Sequence, residues 1–395
     1  MSFKELIVRK EIRATLLTLM LTSIGFGVIL PIIPFYSQQF GATPTDLGLL
    51  TAIFAFLNLV FAPLIGKFSD KIGRKKVLQA GTLGFIGAYL LFAFAPNLEV
   101  LFIARALEGI MAAGIFPSVA SLISDFTTEQ QRGKAMALVG MTFSLGFILG
   151  PALGGLAELL SIQGAFFLAA ALSFINFLSV TFQITEPKEK AESREIVQKE
   201  ISLLQHISSP LLFCFVASFM IASLTGGMQA VLALFTELRL DFGPGEVGII
   251  FTILGVLIML FQFLSGSLVG KYGEVRLIQA GLFLSSLGFL FLVFLHDWLT
   301  ILLPLSVFVL GNALVFPSVS SLVSKRAQGK RGAALGLLSS FQSAGQVFGP
   351  ITAGFLYHIR PEYAFYGLAA IVLVYFVIFS SATNNCAASL QDGKK

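Results

Sequence analysis

The sequence predicts an all-α membrane protein of twelve transmembrane helices, arranged as two pseudo-twofold-related six-helix bundles. Three observations carry that prediction. The 395-residue chain is 56% hydrophobic and only 12% charged, with a mean hydropathy of +0.88. Apolar runs of the length that crosses a bilayer, about 20 residues each, recur from residue 12 to residue 382 with short polar breaks. The second half of the chain also repeats the first at an offset of about 200 residues.

Composition sets the solvent. A chain this apolar has too little polar surface to cover itself in water, so lipid must surround it. A β-barrel would show alternating segments of about ten residues, but the run Leu16 to Phe35 is apolar on every face. The 41 Phe fill spans in which lipid-facing and core-facing positions are both greasy. Cys214 in a span and Cys386 in the tail lie at different depths and imply no disulfide. The charged start, Met1 to Arg13, precedes a first run of full span length, which reads as a retained helix.

The spans fall at 12 to 35, 46 to 66, 77 to 95, 99 to 123, 133 to 156 and 163 to 184. After a linker they continue at 210 to 235, 245 to 269, 277 to 295, 299 to 322, 332 to 357 and 363 to 382. The Glu- and Lys-rich stretch Glu186 to Glu200 divides them six and six. Residues 1–185 are thus an N-terminal bundle, 186–209 a cytoplasmic linker, 210–382 a C-terminal bundle and 383–395 a cytoplasmic tail. With both termini cytoplasmic, 23 of the 26 Lys and Arg fall inside, as the positive-inside rule requires. That places the chain as a multi-pass protein of the cell (inner or plasma) membrane. The net charge of +5 describes loops facing anionic lipid, and no nucleic acid is needed to explain it.

The repeat is dense. Asp46-Leu47-Gly48 recurs as Glu246-Val247-Gly248, Gln79-Ala80-Gly81 as Gln279-Ala280-Gly281, and Phe116-Pro117-Ser118-Val119 as Phe316-Pro317-Ser318-Val319. Arg132-Gly133 and Gly150-Pro151 return as Arg331-Gly332 and Gly349-Pro350. Six spans per half is an even number, so the halves share one orientation about an axis along the membrane normal. That is a parallel-repeat plan, with a site expected near mid-membrane between the halves.

The loop after span 2 reads Gly66-Lys67-Phe68-Ser69-Asp70-Lys71-Ile72-Gly73-Arg74-Lys75-Lys76. It resembles the G-x-x-x-D-x-x-G-R-[KR]-[KR] signature of the major facilitator superfamily. The resemblance implies that this loop latches one state of a carrier, through contacts near Asp125 and the start of span 11. Gly66, Asp70, Gly73, Arg74, Lys75, Asp125 and Arg132 are its expected parts. Glycines permit a tight turn, Asp70 can face a helix N-terminus and the cations can hold an acid. The plainer alternative is that the cations only fix topology. The second copy has Gly270 and Glu274 in place of Asp70 and Arg74, so the latch is expected to be asymmetric.

Span 5 carries Gly146-Phe147-Ile148-Leu149-Gly150-Pro151-Ala152-Leu153-Gly154-Gly155. This is similar to the G-x-x-x-G-P-x-x-G-G motif of the superfamily's antiporters, its drug:proton exchangers in particular. Gly146, Gly150 and Gly154 share one face and permit close packing, while Pro151 removes a backbone bond and is expected to bend the span, and Gly155 completes the motif. Ordinary small-residue packing is the alternative.

Span 4 holds Arg105-Ala106-Leu107-Glu108-Gly109, resembling the family's R-x-x-x-G element. A charge at mid-span costs about 2.5 to 3.5 kcal/mol on insertion scales, so it is a functional hypothesis by default. Arg105 and Glu108 lie three apart on one helix face. They are either a self-neutralising structural pair or a coupling pair, in which Glu108 takes a proton and releases Arg105 to another partner.

Spans 1, 7 and 10 lack the further carboxylate that cationic-drug exporters of this family often carry. Gln229, Gln262, Asn312, Gln342 and Gln346 are instead the candidates to hydrogen-bond a substrate in the C-terminal half, or to cross-link helices. No ATP-binding G-x-x-x-x-G-K-[ST] string, Cys/His metal spacing or catalytic cluster is visible. The expectation is a monomeric carrier without cofactor, not an enzyme. Its partners are a small molecule, protons and the bilayer, and the proton gradient is its energy source. An amphiphilic compound would leave through a Phe-lined cavity as protons enter. The rivals are export of a sugar, metabolite or lipid in the same fold, and a non-transporting receptor or scaffold.

Overall fold

The computed structural model describes residues 9–186, 211–327 and 331–385. The linker from residue 187, the tail with Cys386, and the side chains of Arg331 and Gly332 lie outside what is described. Twelve long helices account for the spans: α1 Lys10–Ile29, α2 Pro44–Ile72, α3 Arg74–Ala93, α4 Leu98–Asp125, α5 Glu129–Glu158, α6 Ile162–Gln183, α7 Leu211–Leu240, α8 Pro244–Tyr272, α9 Glu274–Phe291, α10 Trp298–Arg326, α11 Arg331–Ile359 and α12 Pro361–Asn385. Among the described residues, eleven candidate spans are long and apolar enough to cross a membrane. α11 is not one of them, because Ser339, Ser340, Gln342, Ser343 and Gln346 lower its mean hydropathy.

Local chemistry sets the boundaries. The first span is broken: Pro31 and Pro34 end α1 at Ile29, and a short helix, Ile33–Gln38, follows. The basic loop is almost entirely helical, since α2 runs on to Ile72 and α3 starts at Arg74. Gly73 alone makes the corner at φ +97°, and Gly273 makes the matching one at φ +81°. Asn97, Ser161 and Asp297 cap α4, α6 and α10, accepting backbone N–H bonds at 3.1, 2.9 and 2.7 Å. Hydroxyls inside spans bond back to the preceding turn, as Thr18, Thr22, Ser23 and Thr82 do, which satisfies them without water.

The chain packs as two compact units. One comprises Met1–Thr43, Ile53–Val197 and Asp241–Val256, the other Pro44–Ala52, Gln198–Leu240 and Leu257–Lys395. Each unit therefore holds one half of the repeat, except that the first turns of α2 belong with the second half and those of α8 with the first. The repeat extends to the aromatic cores. In the first unit Phe166 lies 5.0 Å from Tyr36 and 5.3 Å from Phe92, and in the second Phe365 lies 4.6 Å from Phe235 and 5.1 Å from Phe289. Other rings, such as Phe56, Phe94 and Phe182, are exposed, as lipid permits.

Candidate functional site

The conspicuous polar feature of the first unit is the Arg105–Glu108 pair on α4. Arg105 Nη1 donates to Glu108 Oε2 at 2.6 Å, and the two side chains are 4% and 0% exposed. The guanidinium also lies 4.6 Å from the ring centre of Phe54 on α2 and 5.6 Å from that of Phe26 on α1. Gly109 explains the approach of α2. A Cβ there would stand 2.6 Å from the Phe54 carbonyl oxygen, so the glycine of R-x-x-x-G is what lets the Phe54 ring reach Arg105. Glu108 Oε1 is buried without a well-formed hydrogen bond, although the Tyr89 hydroxyl of α3 is an electrostatic neighbour.

The glycines of α5 face the backbone of α1. A Cβ on Gly146 would come 2.5 Å from Ser23 Cβ, and one on Gly150 2.6 Å from Gly27 Cα and 2.7 Å from the Ile24 oxygen. Gly154 meets the Val28 carbonyl. The next residues meet the start of α8 within the same unit: a Cβ on Gly155 would lie 3.2 Å from Gly245 Cα, and one on Gly248 2.7 Å from the Pro151 oxygen. In the second unit Gly345 and Gly349 meet the carbonyls of Phe219 and Ser223 on α7, while Gly354 and Pro350 meet Pro44 and Gly48 at the start of α2. The motif is thus a two-sided backbone contact. α5 is one continuous helix through Pro151.

At the other end of the first unit Arg74 forms an ion pair with Asp125. The linker residue Glu186 caps α3, accepting from Arg74 N at 2.8 Å and Lys75 N at 2.9 Å, with its carboxylate against Gly73. Lys75 Nζ donates to the Thr181 oxygen at the end of α6 at 2.8 Å. Asp70 is exposed, Gly66 has open space beside it, and Arg132 Nε is buried without a partner. The start of α11, the other expected latch contact, lies outside the described side chains. The asymmetry expected from Glu274 takes a specific form. The second unit keeps an ion pair, Glu274 with Lys325, with its charges exchanged.

The amides separate into two groups. Asn312 is a cross-link: its Oδ1 accepts from Thr225 on α7 at 3.0 Å, and its Nδ2 reaches the Phe308 oxygen at 3.0 Å and Ser285 on α9 at 3.4 Å. Gln229, Gln342 and Gln346 are half-buried on α7 and α11, and Gln262 is exposed on α8. Sequence reasoning missed Tyr89, Phe26, Phe54 and Asn176, which come from four other helices. Asn176 did carry a signal, as the one amide of the sixth span that lies away from its ends.

Comparison with known proteins identifies the family. The family model of the Major Facilitator Superfamily matches residues 15–243 and 225–384. Multidrug resistance protein 1 of Bacillus subtilis is 32% identical over 364 residues, which cover 91% of this chain and 93% of that protein. Quinolone resistance protein NorA of Staphylococcus aureus is 30% identical over 376 residues, covering 92% and 96%. Among solved structures, the nucleoside transporter NupG superposes with a TM-score of 0.80 at 16% identity, covering 95% of this chain and 99% of that one. The human organic anion transporter MFSD10 (TETRAN) gives 0.68 at 22%, covering 94% and 99%. At those identities the likeness speaks for fold alone. The repeat, the motifs and the family match over nearly the whole length give one conclusion: this chain is a multi-pass membrane protein that belongs to the major facilitator superfamily.

Proposed function

We propose that this protein exports small amphiphilic organic compounds from the cytoplasm across the cell membrane, by alternating access, in exchange for protons. It acts without chemical change to the substrate and with both termini cytoplasmic. The observation that carries the reading is the buried Arg105–Glu108 pair, a titratable group locked to a fixed cation within a glycine-packed unit. The names of the relatives, a multidrug resistance protein and a quinolone resistance protein, support the substrate class.

Protonation of Glu108 removes one of two charges that neutralise each other. Arg105 then loses its carboxylate partner while it still lies against Phe26 and Phe54, which shifts the balance toward a rearrangement of its contacts. Deprotonation on the cytoplasmic side restores the pair. A membrane potential contributes about 2.3 kcal/mol per charge per 100 mV, equivalent to a roughly 50-fold concentration ratio.

Purified protein in liposomes tests this with ethidium and a fluorescent quinolone as probes. An imposed pH gradient should drive their accumulation, and collapsing the gradient should stop it. Accumulation indifferent to the gradient would refute proton exchange, and no transport of either probe would refute the substrate class.

A further inference from the structure

The Glu108 carboxylate points into the interior of the first unit, toward α3. Among the described residues, the titratable and charged groups facing it are Arg105 on its own helix and Tyr89 on α3. From Tyr89 a line of polar groups continues between α1, α3 and α6. Gly25 of α1 marks its first junction, since a Cβ there would sit 3.6 Å from the Tyr89 hydroxyl and 3.8 Å from Ser173 Oγ of α6. One turn further along α6, Asn176 is 1% exposed. Its Nδ2 donates to the Thr18 oxygen at 3.1 Å and to Thr22 Oγ1 at 3.0 Å, while its Oδ1 has no partner. Another turn on, Ser179 is 6% exposed with an unpartnered Oγ. The same end of the unit holds Lys75, whose Nζ donates to the Thr181 oxygen, and Gln79, whose Nε2 donates to Thr181 Oγ1 at 3.1 Å.

Ser173, Asn176 and Ser179 are three apart and all buried, so they form one strip on the inner side of α6, about 9 Å long at 1.5 Å per residue. Buried polar atoms are satisfied in roughly nine cases of ten, yet Asn176 Oδ1 and Ser179 Oγ have no partner within this one seam, and Glu108 Oε1 has no well-formed one. Helix cross-linking accounts for Asn176 Nδ2, which holds α1. It does not account for the amide oxygen or for Ser179. Polar groups spaced this way suit water molecules that link one to the next.

We infer that this seam is a water-mediated proton exit, through which Glu108 discharges to the end of the unit that carries Lys75. The inference rests on the coupling role proposed for Glu108. In the discharge, the Glu108 O–H bond breaks and its proton passes to a neighbouring water. Each hydroxyl or water on the line accepts one proton and donates another, and one proton leaves at the far end. The Asn176 oxygen accepts hydrogen bonds and holds the line without being protonated. The carboxylate left behind takes up the Arg105 ion pair again, so charge balances at every step.

The test needs no transported compound. Full-length protein in detergent is jumped from acid to alkaline pH while time-resolved infrared spectroscopy follows loss of the protonated-carboxyl band, assigned to Glu108 by its absence in Glu108→Gln. Asn176→Leu should slow that loss roughly tenfold or more, the rate cost of a missing hydrogen-bond link, with its amplitude unchanged, and Asn176→Ser should recover most of the rate. If Asn176→Leu does not fold, the double variant Ser173→Ala, Ser179→Ala carries the same expectation, because Ser179 Oγ has no partner to lose. Wild-type rates in these variants would overturn the seam while leaving the coupling role intact. A band that Glu108→Gln fails to remove would instead overturn the coupling role, and the seam with it.

Discussion

Glu274 and Lys325 form, in the second unit, the ion pair that Arg74 and Asp125 form in the first, with the charges exchanged. Both partners sit 200 residues after their counterparts, so the duplication kept the contact and reversed its polarity. A structural tie between the start of one helix and the end of another needs only opposite signs, which is why reversal is tolerated. The two pairs differ in setting. Arg74 and Asp125 are 19% and 29% exposed, whereas Lys325 is 67% exposed and Glu274 14%.

Double-mutant cycles on thermal unfolding should separate them. The better-shielded Arg74–Asp125 pair should show coupling of about 1 to 2 kcal/mol and the Glu274–Lys325 pair less than about 1 kcal/mol. The swapped double variant Glu274→Lys, Lys325→Glu should retain stability that either single change loses. Equal coupling in the two cycles would count against exposure as the deciding factor.

Backbone contact through glycine predicts a sharp position dependence along α5. Gly150→Ala places a methyl 2.6 Å from Gly27 Cα, where no flexible side chain can move aside, and should destabilise by about 1 to 3 kcal/mol with loss of transport. Gly140 on the same helix has open space, so Gly140→Ala should be neutral or stabilise by up to about 1 kcal/mol. Melting temperatures in detergent and liposome transport read both.

The buried pair on α4 should behave as a unit. Glu108→Ala removes the carboxylate that neutralises Arg105 at 4% exposure and should cost about 3 to 5 kcal/mol. Arg105→Ala should cost a comparable amount, and the double variant should be more stable than either. Additive losses in an unfolding cycle would show that the two groups do not depend on each other.

Asp297 gives a pH expectation outside the spans. Its bonds from the Thr300 backbone N–H and hydroxyl hold its carboxyl below the ordinary 3.8. A lowered folded value means that the cap is fully present above 3.8 and is lost only as pH falls below it through the folded value. Hydrogen-exchange protection at the start of α10, taken relative to the intrinsic rate at each pH, should therefore be flat from neutrality down to that point and fall beneath it. Asp297→Ala should show the lowered protection already at neutral pH.

What the sequence made legible follows from where the information lies. Span count, repeat and Arg105–Glu108 could be read along the chain, because lipid demands apolar runs and penalises charge wherever it appears. The basic loop is legible as a motif, but its conformation is not. α2 and α3 run through the basic residues to a single corner at Gly73, since nothing in Lys67 to Ile72 opposes a helix. Phe26, Phe54 and Tyr89 come to the pair from three other helices, so only packing shows that Arg105 lies against two rings. The exchange of the first turns of α2 and α8 between the units has no local signal, because Gly48 and Gly248 read equally well against either half.

The measurement that bears most directly on the central claim compares wild type with Glu108→Gln in the same liposomes. Downhill ethidium exchange at equal pH should persist in the variant, and accumulation against a concentration gradient driven by a pH gradient should be lost. A variant that accumulates ethidium as wild type does would contradict the account.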